Sequence, residues 1–274
     1  MEERTHQTEL GVIHYWVSRV GTGRLWLVLL PGLSADHHLF DKQVEGLGAE
    51  YNLLTWDAPA HAASRPFRLA FSLEDMAVYL HGILEAEGVT RPVLVGQSLG
   101  GYIAQVYMAL YPDAAAGFVS IDSCSMKRKY YTGAELFLLQ HTEGMYRALP
   151  WKWTLSMGKT GNATTPYGQD LMEKTFSVYG KDEFCALAGH GFRILAQAIG
   201  KGGAYDIPCP VLLLCGEKDQ AGSGKRYNRA WTKQDGHRLV WIPGAGHCSN
   251  ADAPELVNGL IREFVQGLQT EENP

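Results

Sequence analysis

The chain has 274 residues, 46% of them hydrophobic and 19% charged, with a formal net charge of −5. That is long enough for one well-buried α/β domain without disulfide or metal staples. A mildly acidic chain with no basic stripe argues against nucleic acid as a partner, and its longest apolar run, residues 25–31, is too short to cross a bilayer.

The first residues, MEERTHQTELGVIHYWV, lack the apolar core behind a basic start that marks a secretory signal. Five cysteines (Cys124, Cys185, Cys209, Cys215 and Cys248) are odd in number and form no CxxC pair, which reads as free thiols in a reducing compartment. The expectation is a cytoplasmic protein with no membrane partner, a monomer or a homodimer. The sequon Asn162-Ala163-Thr164 then reads as chance.

Residues 9–19 (ELGVIHYWVSR) alternate and suggest an antiparallel edge strand. Six short, continuous apolar runs follow at 25–31, 53–56, 93–96, 117–121, 211–215 and 239–242. Strands of a parallel sheet look like this, because helices cover both faces. Helical patterns lie at 72–87, 99–110 and 254–268, the first opened by Ser72 with Glu74 and Asp75 in its first turn. The alternation predicts a doubly wound, mostly parallel α/β sheet with helices on both faces. Residues 125–203 break the rhythm: no clear strand, many aromatics and methionines, and a helical stretch at 134–147. They read as a helical lid inserted between core segments 1–124 and 204–274. The tail, TEENP, reads as frayed.

The chemistry concentrates at VLVGQSLGGYIAQ, residues 93–105. Gly96-Gln97-Ser98-Leu99-Gly100 places a serine where a strand turns directly into a helix. Such a turn strains the backbone, and flanking glycines remove the Cβ atoms that would clash. Ser98 is thereby lifted above the sheet beside the free N–H groups of a helix N-terminus, and the Leu99 N–H can donate to a developing oxyanion. A serine of this kind needs a base and an orienting acid. His247, in PGAGHCSNADAPE, follows the last strand; Asp219, in LLLCGEKDQAG, follows the one before. Both loops lie at carboxyl ends of strands, where open α/β sheets build their sites. Asp122, after the run at 117–121, is the alternative acid.

These pieces, with LLPGLSADHHLF at 29–40, TWDAPAHAASRP at 55–66 and IPGAGHCSN at 242–250, resemble the α/β-hydrolase superfamily, in its group of small lid-bearing serine esterases. The likeness covers the chain except the insertion, and it implies a doubly wound, mostly parallel sheet of eight strands. It implies Ser98 as nucleophile, His247 as general base and then acid, Asp219 as the residue holding the imidazole tautomer, and Leu33 as donor of the second oxyanion N–H beside Leu99. No cofactor or metal is implied. The family usually has His-Gly where this chain has Pro31-Gly32, and two glycines where it has Ala60 and Ala62.

His37 and His38, beside the oxyanion loop, are candidates for contact with substrate, as is Gln97. Among the lid aromatics and methionines, Trp151, Trp153 and Met157 are candidates for the pocket, with Tyr130, Tyr131 and Phe192. An apolar lid implies a small, largely uncharged carboxylic ester. A thioester, a lactone, a carbon–carbon bond or a peptide amine terminus could use the same triad. A non-catalytic receptor on the same fold is a rival of another class, although a binding module needs no intact Ser98, Asp219 and His247. A dinucleotide enzyme fails on motif, because Ser98 stands where G-x-G-x-x-G needs its second glycine.

Overall fold

The computed structural model describes residues 1–203 and 205–272. Eight strands form one sheet in the order β1-β2-β4-β3-β5-β6-β7-β8: β1 (Glu2–Gln7), β2 (Val12–Ser18), β3 (Trp26–Leu30), β4 (Asn52–Trp56), β5 (Val93–Gln97), β6 (Gly117–Ile121), β7 (Val211–Gly216) and β8 (Arg238–Ile242). β2 pairs antiparallel with β1 and β4, and every other pair is parallel. The apolar runs fall where parallel pairing requires them. Every residue of β4 to β7 is buried, which is why their sequences do not alternate. β2 does alternate, burying Ile13, Tyr15 and Val17.

One expectation about the sheet is corrected. β2 is not its edge: β1 lies outside it, and its sequence, EERTHQ, carries no apolar face from which a strand could be read. β1 is held by backbone pairing and by Arg4, which reaches the buried Glu87 at 2.7 Å.

The core helices, in chain order, are α1 (Asp41–Leu47), α2 (Leu73–Ala86) and α3 (Leu99–Leu110). Between β6 and β7 come α4 (Gly133–Gln140), α5 (Thr142–Ala148), α6 (Trp151–Asn162), α7 (Pro166–Ser177) and α8 (Lys181–Lys201). Then follow α9 (Gly224–Asp235), α10 (Ser249–Asp252) and α11 (Pro254–Glu272). Two glycines show that helices cover both faces of the sheet. A Cβ on Gly117 would press on Phe264 and Leu268 of α11, and one on Gly96 would meet Gly100 and Gly101 of α3. Gly96 pairs with Ser120, three positions beyond Gly117, so the two glycines face opposite sides.

The single helix expected at 134–147 is two. His141 leaves helical geometry, its N–H turns back to the Leu138 carbonyl, and its ring Nδ1 reaches the Phe137 carbonyl at 2.7 Å. Of the tail read as frayed, Thr270, Glu271 and Glu272 belong to α11. Asn273 and Pro274 lie outside the described residues, as does Ala204, the expected restart of the core.

From β3 the chain moves to β4 on one side, then crosses to β5 on the other. The crevice beyond the ends of β3 and β5 is therefore the point where the winding reverses, and ligands settle there in open α/β sheets. The loop carrying Leu33 leaves β3, and Ser98 leaves β5.

Candidate active site

Ser98 has φ 49° and ψ −115°, a conformation side chains rarely adopt. Its surroundings hold it there. Its N–H donates to the Ile121 carbonyl at 2.9 Å, and its own carbonyl accepts from Gly101 N–H at 3.0 Å and Ser123 Oγ at 2.7 Å. A Cβ on Gly100 would run into the Leu30 carbonyl, and one on Gly101 would come within 2.5 Å of Ser123. The glycines are thus required by close approach of α3 to β3 and to the loop after β6.

Gly32 is required for the same reason. A Cβ there would collide with Gln97 Oε1 and stand 3.1 Å from Ser98 Cβ, so the segment entering Leu33 passes directly over the serine. Neither the Leu33 nor the Leu99 N–H donates to a protein acceptor among the described residues. The Leu33 side chain is pressed from above by Gly191 of α8, which ties this loop to that helix.

His247 sits in the loop after β8, with 14% of its side chain exposed. Its Nε2 lies 2.9 Å from Ser98 Oγ, and its Nδ1 lies 3.1 Å from each oxygen of the buried Asp219 carboxylate. Four contacts fix this loop. Gln97 Nε2 donates to the His247 carbonyl at 2.7 Å, and Cys248 N–H to the Asn162 carbonyl at 2.8 Å. Gly246 N–H donates to Asp252 at 2.8 Å, and Ser249 N–H to Asp122 at 2.8 Å.

Asp122 does not reach His247 by a hydrogen bond. Its two oxygens accept from Gly216 N–H, at 2.7 Å, and from Ser249 N–H, so it clamps the start of the Asp219 turn to the His247 loop. Burial, and then the neighbouring Asp219 charge, push its carboxyl up to about 7. For His247, burial disfavours the imidazolium, but the Asp219 carboxylate, and Asp122 behind it, outweigh that cost and hold the ring above its usual value. A hydroxyl, an imidazole and a carboxylate in line can draw a proton from the first to the second while the third holds the ring.

Asp252 is a residue that sequence reasoning did not single out. Its carboxylate accepts from Gly246 N–H, and also from the backbone and hydroxyls of Thr164 and Thr165, between α6 and α7. It therefore binds the His247 loop to the segment between α6 and α7. Its position five residues after His247 was the available signal, but its partners lie far away in sequence.

A cleft of about 900 Å³ opens above Ser98 and His247, between the sheet and α4–α8. Gln97, Met157, Tyr131 and Phe192 line it, as does Cys124, whose thiol burial pushes up to about 12. Five pocket candidates do not line it. His37 Nδ1 is bonded to Asp57 at 2.9 Å and its ring stacks on Trp16; His38 turns outward to Asp41. Trp151 packs on Phe184, and Trp153 points away into solvent, 63% exposed. Tyr130 is also outside, hydrogen-bonded to Gln234.

The sequence matches the alpha/beta hydrolase family over residues 27–260. It is 29% identical to the magnesium-chelatase 30 kDa subunit of Rhodobacter capsulatus, across 94% of this chain and 93% of that one. It is 27% identical to the mouse serine hydrolase BPHL, across 93% and 84%. A thermophilic esterase from Thermogutta terrifontis superposes with a TM-score of 0.75 at 20% identity, covering 98% of this chain and 99% of its own. With an eight-stranded sheet wound in this order and a family match spanning most of its length, the chain belongs to the alpha/beta hydrolase family.

Proposed function

We propose that this hydrolase cleaves a largely uncharged carboxylic ester through an acyl-enzyme on Ser98. The observation that carries the reading is the unbroken line from Ser98 Oγ to His247 Nε2, 2.9 Å, and from His247 Nδ1 to Asp219, 3.1 Å. In the acylation step Oγ attacks the ester carbonyl while its proton passes to His247. Asp219 holds the tautomer and balances the imidazolium. The Leu33 and Leu99 N–H groups receive the oxyanion, each worth about 10²–10³ in rate. His247 then gives its proton to the leaving alcohol. In deacylation it takes one from water, hydroxide adds to the acyl carbon, and Ser98 leaves with the proton returned.

An ester fits better than a charged substrate because the cleft wall holds no lysine or arginine among the described residues. The five unpaired cysteines support a reducing compartment, hence the cytoplasm. The test is a fluorophosphonate probe on the wild-type protein beside Ser98→Ala, followed by nitrophenyl esters. Labelling that vanishes in the variant, with ester turnover, is the expected result. A folded wild-type protein that takes no label and turns over no ester overturns the reading and favours a receptor.

A further inference from the structure

Three observations bear on what enters the cleft. First, its volume, about 900 Å³, lies near the top of the range for small-molecule sites. A short ester would leave most of it to water. Second, its wall is apolar over most of its length, with Leu139, Leu149, Met172, Phe176 and Leu195 among the lining residues. Apart from Asp122 at the floor, the single lining carboxylate among the described residues is Glu135, which is engaged by Arg226 at 2.5 Å. Third, the five most exposed large apolar side chains of the described chain lie between residues 137 and 157, on α4, α5 and α6. They are Phe137, Leu138, Met145, Trp153 and Met157, from 54% to 63% exposed. The other exposed apolar residues are scattered and less bare.

Leu138, Met145 and Met157 belong to both groups: they are bare to solvent and they line the cleft. The cleft that opens on Ser98 is therefore also lined by apolar side chains bare to solvent. Exposed apolar surface of this kind marks a contact that the isolated chain does not make. Because this rim lines the same cleft as Ser98, its occupant is a molecule that also enters the cleft.

We propose that the substrate is an ester with a long apolar chain, its carbonyl on Ser98 and its far end against Leu138, Met145 and Met157. This is a larger molecule than the sequence alone implies, and it rests on the serine-hydrolase reading above. Methionine at two of the three rim positions suits a flexible chain, since its unbranched thioether adapts to the shape it meets. Each methylene buried along the wall adds to binding, so affinity climbs with chain length until the rim is reached.

The experiment has two arms. The first measures kcat/KM for nitrophenyl acetate, butanoate, octanoate and dodecanoate. The expected result is a rise of at least about tenfold from acetate to octanoate. Leu138→Gln and Met157→Gln should each lower the dodecanoate-to-acetate ratio by about threefold or more. A preference for acetate or butanoate, or a ratio unmoved in both variants, overturns the proposal. The second arm needs no chemistry: calorimetric titration of Ser98→Ala with methyl decanoate and with methyl acetate. Decanoate should bind at least about tenfold more tightly, and no binding of decanoate overturns the proposal. The arms separate two failures. Probe labelling with a short-chain preference defeats this inference alone, whereas decanoate binding by a chain that takes no label defeats the catalytic reading alone.

Discussion

The two walls of the cleft are built in opposite ways. Below, the ends of β3, β5, β6 and β7 meet under buried polar clamps. Ser98 is pinned by Ile121, Gly101 and Ser123, and the His247 loop by Gln97, Asp122 and Asp252. Above, α5 fully buries no residue and α6 only Thr154, while Met145, Trp153 and Met157 stand in solvent. The floor spends polar groups on fixing reacting atoms, because displacements of about 1 Å can cost about a hundredfold in rate. The roof leaves apolar groups bare, where a substrate can satisfy them. On the function proposed above, chemistry falls to the wall held by buried polar contacts and recognition to the wall with exposed apolar side chains, and substitutions on the two walls should behave differently.

The largest effect belongs to Ser98→Ala. If the floor works as an acyl-transfer site, turnover falls by about 10⁴-fold or more, with residual rate from the oxyanion donors. Thermal unfolding should scarcely move, since alanine meets the same backbone strain as serine at φ 49°. A variant retaining a tenth of the activity would place the nucleophile elsewhere.

Next in size is Gly100→Ala. The added methyl would run into the Leu30 carbonyl, where neither α3 nor β3 can give way without disturbing the serine turn. A loss of about 3–4 kcal/mol in a denaturant titration is expected, or failure to fold. A loss under about 1 kcal/mol would mean that α3 can slide on the sheet, contrary to a rigid floor.

Asp122→Asn is intermediate and has two readouts. Asparagine cannot accept from both Gly216 N–H and Ser249 N–H without turning its own amide toward one of them. The expected cost is about 1–3 kcal/mol. Asp122 has a folded value of about 7 against an ordinary 3.8, so folding favours its protonated form. Its contribution to stability is complete below pH 3.8 and is lost as the pH rises through 7. That slope should disappear in the variant. His247 must be neutral to act as base, and its raised value means kcat/KM falls as the pH drops through a point above 6.5. Removing the Asp122 charge weakens the imidazolium, so this acidic limb should move to lower pH. An unchanged limb would show that Asp122 acts by packing alone.

This contrast also explains what the sequence made legible. β4 to β7 could be read because they are buried on both faces, and Gly96, Gly100 and Gly101 because close approach leaves no other residue type there. The placing of Ser98, Asp219 and His247 just beyond β5, β7 and β8 could be read from the apolar runs that form those strands. The roof was not. Trp153 and Met157 lie four apart on one face of α6, yet only Met157 reaches the cleft, and no periodicity separates them. Asp252 meets Thr164 and Thr165 across 88 and 87 residues of chain, a contact set by how α7 packs on α10. His37 and His38 drew notice by proximity in sequence, but Asp57 and Asp41 turn their rings away from the cleft.

The smallest expected effect is on the roof itself, and its sign is opposite. Gly144 lies inside α5, and a Cβ there meets nothing within 4 Å. Glycine in a helix interior costs about 0.5–1 kcal/mol relative to alanine, because the unfolded chain loses more freedom. Gly144→Ala should therefore stabilise the protein by up to about that amount if α5 unfolds with the rest of the chain. If the lid opens locally before the core unfolds, the gain appears instead as slower amide exchange in residues 142–148, with the global midpoint unchanged. The neighbouring Gly189 sets the limit of this freedom. A Cβ there would strike Glu143, so α5 rests tightly on α8 along one edge while its other side stays open. A destabilising Gly144→Ala would show that the open side is covered in solution, and the roof would then be as tightly packed as the floor.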